Sequence, residues 1–343
     1  MKRSFASDNN SGIHPRIWAA LDRANEGHEL AYGADGFTPE AVRVFRREFG
    51  AAAQVFPVLN GTGANVLGTA FVARSFHSIL CADVAHLAVD ETGAPEKFSG
   101  CKVVPLPSVD GKIRPEQIEP LLVQLGDQHR AQPRVVSLSQ PTELGTLYSL
   151  AEVRAFAAFA RANGLFLHVD GARIANAAAA LGLGFRELVT ETGVDILSFG
   201  GTKNGMFMGE AVVFFERIDA ADFPFLRKQG LQLASKMRYL SAQFLEYFTD
   251  ELWRANALHA NRMAKLLAGE LRELTEIRVT RPVETNAIFA SVPPALIAPL
   301  QAKYPFYVWD AARNEVRWMT SFDTTEADVR EFAATIREVL ADR

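Results

Sequence analysis

The sequence predicts an α/β fold, in which a large domain with a mostly parallel sheet is followed by a small α+β domain. Residues 134–138 and 165–169 are apolar at nearly every position, and a helix pattern separates them. Such runs are typical of strands that a parallel sheet buries on both faces. Beyond residue 280 the pattern changes to short strand candidates before one last helix, which indicates a separate α+β unit.

Local signals support each element in turn. A capping box at Ser149 and Glu152 predicts the start of the helix between those two strands, and Asn163-Gly164 predicts its end. Glycines 61 and 63 precede a helix pattern that reaches Val72. The other strand candidates are residues 78–82, 102–105, 196–199, 211–215, 287–292, 306–309 and 315–319. Residues 226–248 read as one helix, and 325–328 cap the last one.

Composition limits the class of protein. The chain has 343 residues, 48% of them hydrophobic, and can bury a large core. We divide it into a segment 1–30 near the site and the small domain, a large domain 31–248 and a small domain 249–343.

Charge and cysteine content narrow the class further. A net charge of −4 without a basic tract argues against nucleic acid, and no apolar stretch is long enough to span a membrane. The start of the chain lacks the apolar region of a signal peptide. Its two cysteines offer neither a disulfide framework nor a zinc site, so we expect a cytoplasmic protein without a metal.

The most informative residue is Lys203. An apolar strand, 196–199, runs into Gly200-Gly201, and the lysine follows almost at once. A lysine at the end of a buried strand makes sense if its amine forms a Schiff base with pyridoxal phosphate (PLP). The alternative is a surface lysine in a loop.

A second strand, 165–169, ends in Asp170. Ligands bind at the carboxyl ends of parallel strands, and an acid there can protonate a pyridine nitrogen. Arg173 lies one helical turn further and can receive a carboxylate through its planar fork. The alternative is a helix-capping aspartate with a local arginine partner.

Weaker candidates surround this pair. Gly61, Thr62 and Gly63 open a helix whose free amides can hold a phosphate, although such a motif is often only a turn. His86 can stack on a cofactor ring, relay a proton or be structural. Lys228 can neutralise a phosphate or lie on a helix surface.

Two further residues are open in the same way. Arg317 is a basic residue in an apolar strand, which can bind a carboxylate or lie on an exposed edge. Tyr32 can belong to the core or reach the site of a neighbouring subunit.

Taken in order, these segments resemble the low-specificity L-threonine aldolases, which are PLP enzymes of fold type I. The resemblance covers nearly the whole chain, at residues 6–8, 32–35, 60–65, 85–86, 91–93 and 168–173, Lys203 and Arg317. The segments 199–206 and 232–237 look most similar to the branch that includes phenylserine aldolases.

The resemblance implies a reaction and a set of roles. A β-hydroxy-α-amino acid such as threonine, allo-threonine or phenylserine is cleaved to glycine and an aldehyde. The implied roles are the Schiff base for Lys203, the pyridinium partner for Asp170, ring stacking for His86, phosphate binding for Gly61, Thr62, Gly63 and Lys228, and carboxylate binding for Ser7, Arg173 and Arg317. The implied assembly is a homodimer or homotetramer with the site at an interface that Tyr32 crosses.

One position departs from the family. Glu143 stands where many members have a histidine near the substrate hydroxyl. We therefore expect His86, acting directly or through water, to be the catalytic base, and Glu143 is the second candidate. Rival functions are another fold type I enzyme, such as a β-eliminating lyase or an aminotransferase, and a nucleotide-binding protein that uses residues 61–63.

Overall fold

The computed structural model describes residues 2–341, which build two sheets. The larger sheet consists of β1 (Gln54–Val58), β2 (His77–Ala82), β3 (Lys102–Leu106), β4 (Gln132–Ser139), β5 (Phe166–Gly171), β6 (Ile196–Gly200) and β7 (Glu210–Phe214). Their order across the sheet is β1-β7-β6-β5-β4-β2-β3. Six of these strands run in the same direction, and β7 runs in the opposite direction. The predicted α/β class with a mostly parallel sheet is therefore confirmed.

The smaller sheet is antiparallel and lies near the C-terminal end of the chain. Its strands are β8 (Arg278–Val279), β9 (Ala287–Ser291), β10 (Tyr307–Asp310) and β11 (Glu315–Met319), in the order β10-β11-β9-β8. Three of the four coincide with predicted strands. The fourth, β8, has only two residues and gave no sequence pattern.

The described chain forms fourteen helices that cover the two sheets. They are α1 (Pro15–Ala24), α2 (Phe37–Phe49), α3 (Gly61–Val72), α4 (His86–Val89), α5 (Ala94–Ser99), α6 (Glu119–Leu122), α7 (Leu150–Ala162), α8 (Ile174–Leu181), α9 (Phe185–Leu188), α10 (Phe223–Gln229), α11 (Arg238–Phe248), α12 (Leu252–Glu270), α13 (Pro294–Lys303) and α14 (Glu326–Ala341). The capping box of α7 and the cap of α14 form as predicted.

The single helix expected over residues 226–248 is wrong. It is two helices, α10 and α11, and the segment 230–237 between them turns back toward α3. There the side chain of Gln232 accepts a hydrogen bond from the Leu59 amide (2.9 Å). Helix periodicity alone does not show this contact, because it joins residues that are far apart in the chain.

Buried apolar residues form separate cores beneath the two sheets. An aromatic cluster of Phe45, Phe199 and Phe248 packs under the large sheet, while Trp318 and Phe332 pack under the small one. Helix α12 contributes to both cores, with its first residues in one and its last in the other. The predicted boundary at residues 248/249 stays a prediction.

The fold brings several chain segments to one edge of the large sheet. Because β1, β2, β4, β5 and β6 are parallel, the residues that follow each of them lie at the same edge. The N-terminal segment joins this edge from the side of the small sheet, where the amide of Met319 donates to the carbonyl of Phe5 (2.8 Å). Among residues 2–341 no helix has the length and apolarity that crossing a bilayer requires. The cytoplasmic location stays a prediction.

Candidate active site

A pocket of about 260 Å³ lies at this edge of the large sheet. Seven of the twelve residues predicted for the site line it, namely Gly61, Thr62, His86, Glu143, Asp170, Arg173 and Lys203. Gly63, Lys228, Ser7, Tyr32 and Arg317 do not.

The turn after β6 places Lys203 in this pocket. A Cβ atom on Gly200 would lie 2.6 Å from the carbonyl oxygen of Ala172, so only glycine allows β6 to end so close to the turn after β5. The next residue after the lysine, Asn204, is buried and donates to the hydroxyl of Tyr247 (2.7 Å) and the carbonyl of Trp253 (2.9 Å). The backbone on both sides of Lys203 is thereby held in place.

The surroundings of the Lys203 amine favour its neutral form. Burial and the nearby charge of Arg173 lower its pKa below the ordinary value for lysine. Within the described residues, no group accepts a hydrogen bond from its Nζ atom at normal geometry. An amine with a lowered pKa and a free lone pair is a nucleophile.

Asp170 is held as a carboxylate. Its Oδ2 accepts from Asn65 Nδ2 (2.7 Å), and its Oδ1 accepts from the Ala172 amide (3.0 Å). Burial alone would raise its pKa, but the charge of His86 and these two hydrogen bonds outweigh burial and keep the pKa below its usual value. The alternative of a simple local pair with Arg173 does not hold, because Arg173 bonds elsewhere.

The sequence analysis missed Asn65, which links two acids. Its Nδ2 donates to Glu91 Oε1 (2.8 Å) as well as to Asp170, while its Oδ1 is buried without a partner among residues 2–341. The signal available was one asparagine in the otherwise apolar stretch 64–68 of a helix.

His86 and Glu91 share a hydrogen bond at the pocket wall. His86 Nδ1 lies 3.0 Å from Glu91 Oε1. The bond to Glu91 raises the pKa of His86, and burial raises the pKa of Glu91. Both shifts act to keep a proton between the two side chains.

Glu143 faces the same pocket. Its Oε1 accepts from Ser139 Oγ (2.6 Å) and from the amide of His86 (2.7 Å), whereas its Oε2 is shielded from solvent and has no partner in the described chain. Burial raises the pKa of Glu143. The structure thus places both candidate bases together.

The small sheet holds the loop that carries Glu143. The hydroxyl of Thr285 donates to the carbonyl of Gly145 (2.9 Å), and the Leu147 amide donates to Glu284 Oε2 (2.7 Å). Leu144 packs against Phe289 and neighbouring residues of that sheet. The position of Glu143 therefore depends on both sheets.

The N-terminus of α3 is only partly free. Asn60 caps it by accepting from the Gly63 amide (2.7 Å), and the carboxamide of Gln232 lies 2.3 Å from where a Cβ atom on Gly63 would be. Gly63 therefore has a packing role. The amides of Gly61 and Thr62 have no acceptor within residues 2–341 and line the pocket.

Arg173 already has an anionic partner, Asp8, which the sequence analysis also missed. The Arg173 Nε and Nη2 atoms donate to the two Asp8 oxygens at 2.6 and 2.8 Å, and Asn286 Nδ2 donates to Oδ2 at 3.1 Å. Burial alone would raise the Asp8 pKa, but the charge of Arg173 outweighs burial and lowers it. The neighbouring Ser7 caps a turn by accepting from the Asn9 amide (3.2 Å) and lies outside the pocket.

Arg317 is a guanidinium without a carboxylate partner in the described chain. It donates to the carbonyl of Ala6 (3.2 Å) and lies over the rings of Tyr307 and Trp309, and its Nε atom has no partner. Burial and the nearby charge of Arg173 lower its pKa to about 10. Such a group is suited to receive an anion.

Two predicted residues lie together away from the pocket. Lys228 Nζ is 5.2 Å from the ring centre of Tyr32, which is half exposed. A larger apolar groove of about 660 Å³ shares Leu59 and Met208 with the pocket and includes the exposed side chains of Trp18 and Phe207.

Comparison with known proteins gives consistent matches over the chain. The family model for β-eliminating lyases matches residues 4–293. A low-specificity L-threonine aldolase from a Pseudomonas species is 44% identical over 99% of this chain and 98% of its own length, and one from Pseudomonas aeruginosa is 44% identical over 98% of both. The solved structure of a threonine aldolase from Leishmania major superposes with a TM-score of 0.93 at 29% identity, covering 98% of this chain and 99% of that one.

We predict that Asp8→Asn lowers the free energy of unfolding by about 3 kcal/mol or more, because it leaves the Arg173 guanidinium without its anionic partner. Urea denaturation at pH 7 measures the loss. Since folding lowers the Asp8 pKa, the stabilisation is complete above about pH 4 and is lost at lower pH, where the two proteins should converge.

The matched control is Glu331→Gln, which breaks an ion pair of the exposed Lys2 and should leave the unfolding curve nearly unchanged. Equal stability of Asp8→Asn and wild type at pH 7 would contradict the role of the buried pair.

Proposed function

The chain belongs to the β-eliminating lyase family, and to its low-specificity L-threonine aldolases in particular; on that premise we propose that it cleaves L-β-hydroxy-α-amino acids to glycine and an aldehyde, with PLP as cofactor. The observation that carries the proposal is the meeting of Lys203 and Asp170 in one pocket, whose surroundings lower the pKa of both side chains.

The pocket fits PLP at three separate points. Gly61 and Thr62 offer two unused amides to a phosphate, Lys203 offers an unbonded amine to an aldehyde, and Asp170 offers a carboxylate to a ring nitrogen. When bound, PLP supplies a ring that accepts the electrons of a broken bond at the amino acid α-carbon.

Asp170 and Lys203 would prepare this chemistry. Asp170, held ionised by His86 and Asn65, keeps a proton at the ring nitrogen. Lys203 would hold the cofactor through its side-chain amine, at the aldehyde end of the pocket. The lowered pKa of Lys203 favours this role, because an amine must lose its proton before it can react with an aldehyde.

The two arginines would orient the substrate. Arg317, which has no internal carboxylate, binds the substrate carboxylate, and Arg173 offers the Nη1 atom that its contact with Asp8 does not use. We place Ser7 beside them because it precedes Asp8. A carboxylate fixed on a planar fork sets which bond at the α-carbon is weakened.

Glu143 and His86 would handle the proton of the β-hydroxyl. Glu143 Oε2 is free of protein partners, so it accepts that proton directly, and the Ser139 bond to Oε1 stabilises the carboxylate form. His86, whose ring shares a hydrogen bond with Glu91, lies beside Glu143 and stabilises the departing aldehyde oxygen.

We predict that the purified protein releases an aldehyde and glycine in equal amounts from threonine, allo-threonine or phenylserine, and that Lys203→Ala abolishes both products. Borohydride reduction followed by peptide mapping should place the cofactor on Lys203. Lys102→Ala, at the exposed first position of β3, is the control and should keep wild-type turnover.

The products also separate the rival functions. Keto acid with ammonia would indicate β-elimination, and a requirement for an amino acceptor would indicate transamination. Either result, or borohydride labelling at another lysine, would overturn the proposal.

We predict that Glu143→Gln changes the ratio of kcat/KM for threonine to that for allo-threonine, because the two epimers direct their hydroxyl groups differently toward Oε2. A loss of about a hundredfold for the epimer that uses Glu143 is the scale of general base catalysis. The companion variant His86→Asn should lower kcat/KM for both epimers by a similar factor. An unchanged ratio and rate in Glu143→Gln would remove Glu143 from the site.

We further propose a homodimer or homotetramer in which Tyr32 and Lys228 complete the pocket of a neighbouring subunit. Among residues 2–341, the lysine and arginine side chains that line the pocket are Lys203, proposed for the aldehyde, and Arg173, which is paired with Asp8. The apolar groove beside it offers exposed Trp18 and Phe207 for burial against a second copy.

We predict that Lys203→Ala and Lys228→Ala, each inactive or weakly active alone, regain activity when they are unfolded together and refolded as a mixture. Random pairing puts one intact site in half of the dimers, which is about a quarter of wild-type activity. A lack of recovery, with mixed dimers shown by mass spectrometry, would contradict sharing of the site.

A further inference from the structure

Glu210 is a buried carboxyl in the pocket that neither the sequence analysis nor the proposed reaction uses. It is the first residue of β7 and pairs with Val58 on β1 and with Gly200 on β6. Those two strands lead directly into the α3 N-terminus and into the Lys203 turn. Glu210 therefore stands between the amides proposed for the phosphate and the amine proposed for the aldehyde.

The carboxyl group points toward the α3 N-terminus. Its Oε2 atom would lie 4.0 Å from a Cβ atom on Gly61, and both residues line the pocket. A phosphate bound to the Gly61 and Thr62 amides would thus be a close neighbour of this acid. Two anions this close repel each other strongly at the low dielectric of a buried site.

The surroundings of Glu210 do not supply a full counter-charge. Burial raises its pKa to about 7, against the opposing effects of the Thr202 hydroxyl and the Lys203 charge. Asp170, at the end of β5, raises it further, and Tyr247 of α11 is a neutral neighbour. The α3 N-terminus itself contributes only amides. A small additional negative charge is enough to change the protonation state of this carboxyl.

We propose that Glu210 takes up one proton from solvent when a phosphate ester binds at the α3 N-terminus, so that the phosphate is held beside a neutral carboxyl that donates a hydrogen bond to it. The inference rests on the proposed PLP site. Proton uptake by Glu210 should weaken binding of the phosphate group as the pH rises above 7, because protonating the carboxylate then costs more free energy.

The probe is 4′-deoxypyridoxine 5′-phosphate, which has the ring and the phosphate but no aldehyde that reacts with Lys203. Its dissociation constant for the cofactor-free full chain is measured from pH 6 to 9. We expect binding to weaken by about tenfold for each pH unit above 7 in the wild type. In Glu210→Gln this weakening of binding above pH 7 should be absent. It should also be absent when the wild type binds the same ligand without its phosphate.

Calorimetry in two buffers of different protonation enthalpy counts the protons directly, and comparison with variants assigns them to Glu210. We expect net proton uptake in the wild type at pH 7.5, uptake retained in Glu210→Asp and in the control Glu331→Gln far from the pocket, and lower uptake in Glu210→Gln. Near-ultraviolet circular dichroism checks that each variant is folded.

The outcomes separate this inference from the function on which it rests. If the wild type does not bind the probe at any pH, the proposed PLP site fails. If the probe binds without proton uptake, or if Glu210→Gln takes up the same number of protons, the site stands and the role of Glu210 is overturned.

Discussion

The bond between Asp8 and Arg173 joins three parts of the chain that the sequence separates widely. Asp8 belongs to the N-terminal segment and Arg173 to the turn after β5. Asn286, which also donates a hydrogen bond to Asp8, is the residue just before β9. Both charges are removed from water, so each depends on the other for its stability. The position of the N-terminal segment, the edge of the large sheet and the start of the small sheet's second strand are set together by this contact.

The pocket shows how the same burial leads to different charges. Asp170, Glu143 and Glu210 are all shielded, and shielding alone raises the pKa of each. Asp170 stays ionised because His86, Asn65 and an amide favour its charged form. The other two have fewer such partners and retain protons more readily. Within one cavity, the groups around each carboxyl therefore decide whether its pKa is lowered, as for Asp170, or raised, as for Glu143 and Glu210.

The sequence predicted those site residues whose signal is local. Lys203 and Asp170 each follow an apolar strand, and parallel strands bring such positions to one edge. Asn65 gave only a weak signal, since its partner Asp170 is 105 residues away. Asp8 is farther still, at 165 residues from Arg173. Their partners are set by tertiary structure, which periodicity and motif spacing do not encode.

The same reason explains the errors of detail. Gly63 matched a phosphate-binding motif, but the structure uses the absence of its side chain to admit Gln232. The break between α10 and α11 serves that contact too, and a helix pattern over residues 226–248 concealed it. In both places a local rule was overridden by a neighbour from another part of the chain.

The hydrogen bonds that hold the Glu143 loop to the small sheet bear on how substrate selectivity can change. Arg317 lies on β11, and the residues that hold the loop precede β9, its neighbour in the small sheet. Arg317, proposed to bind the substrate carboxylate, and Glu143, proposed to act at the β-hydroxyl, thus depend on one small sheet for their positions. Substitutions at Glu284 and Thr285, which do not line the pocket, can therefore shift Glu143 while Arg317 keeps its place on β11.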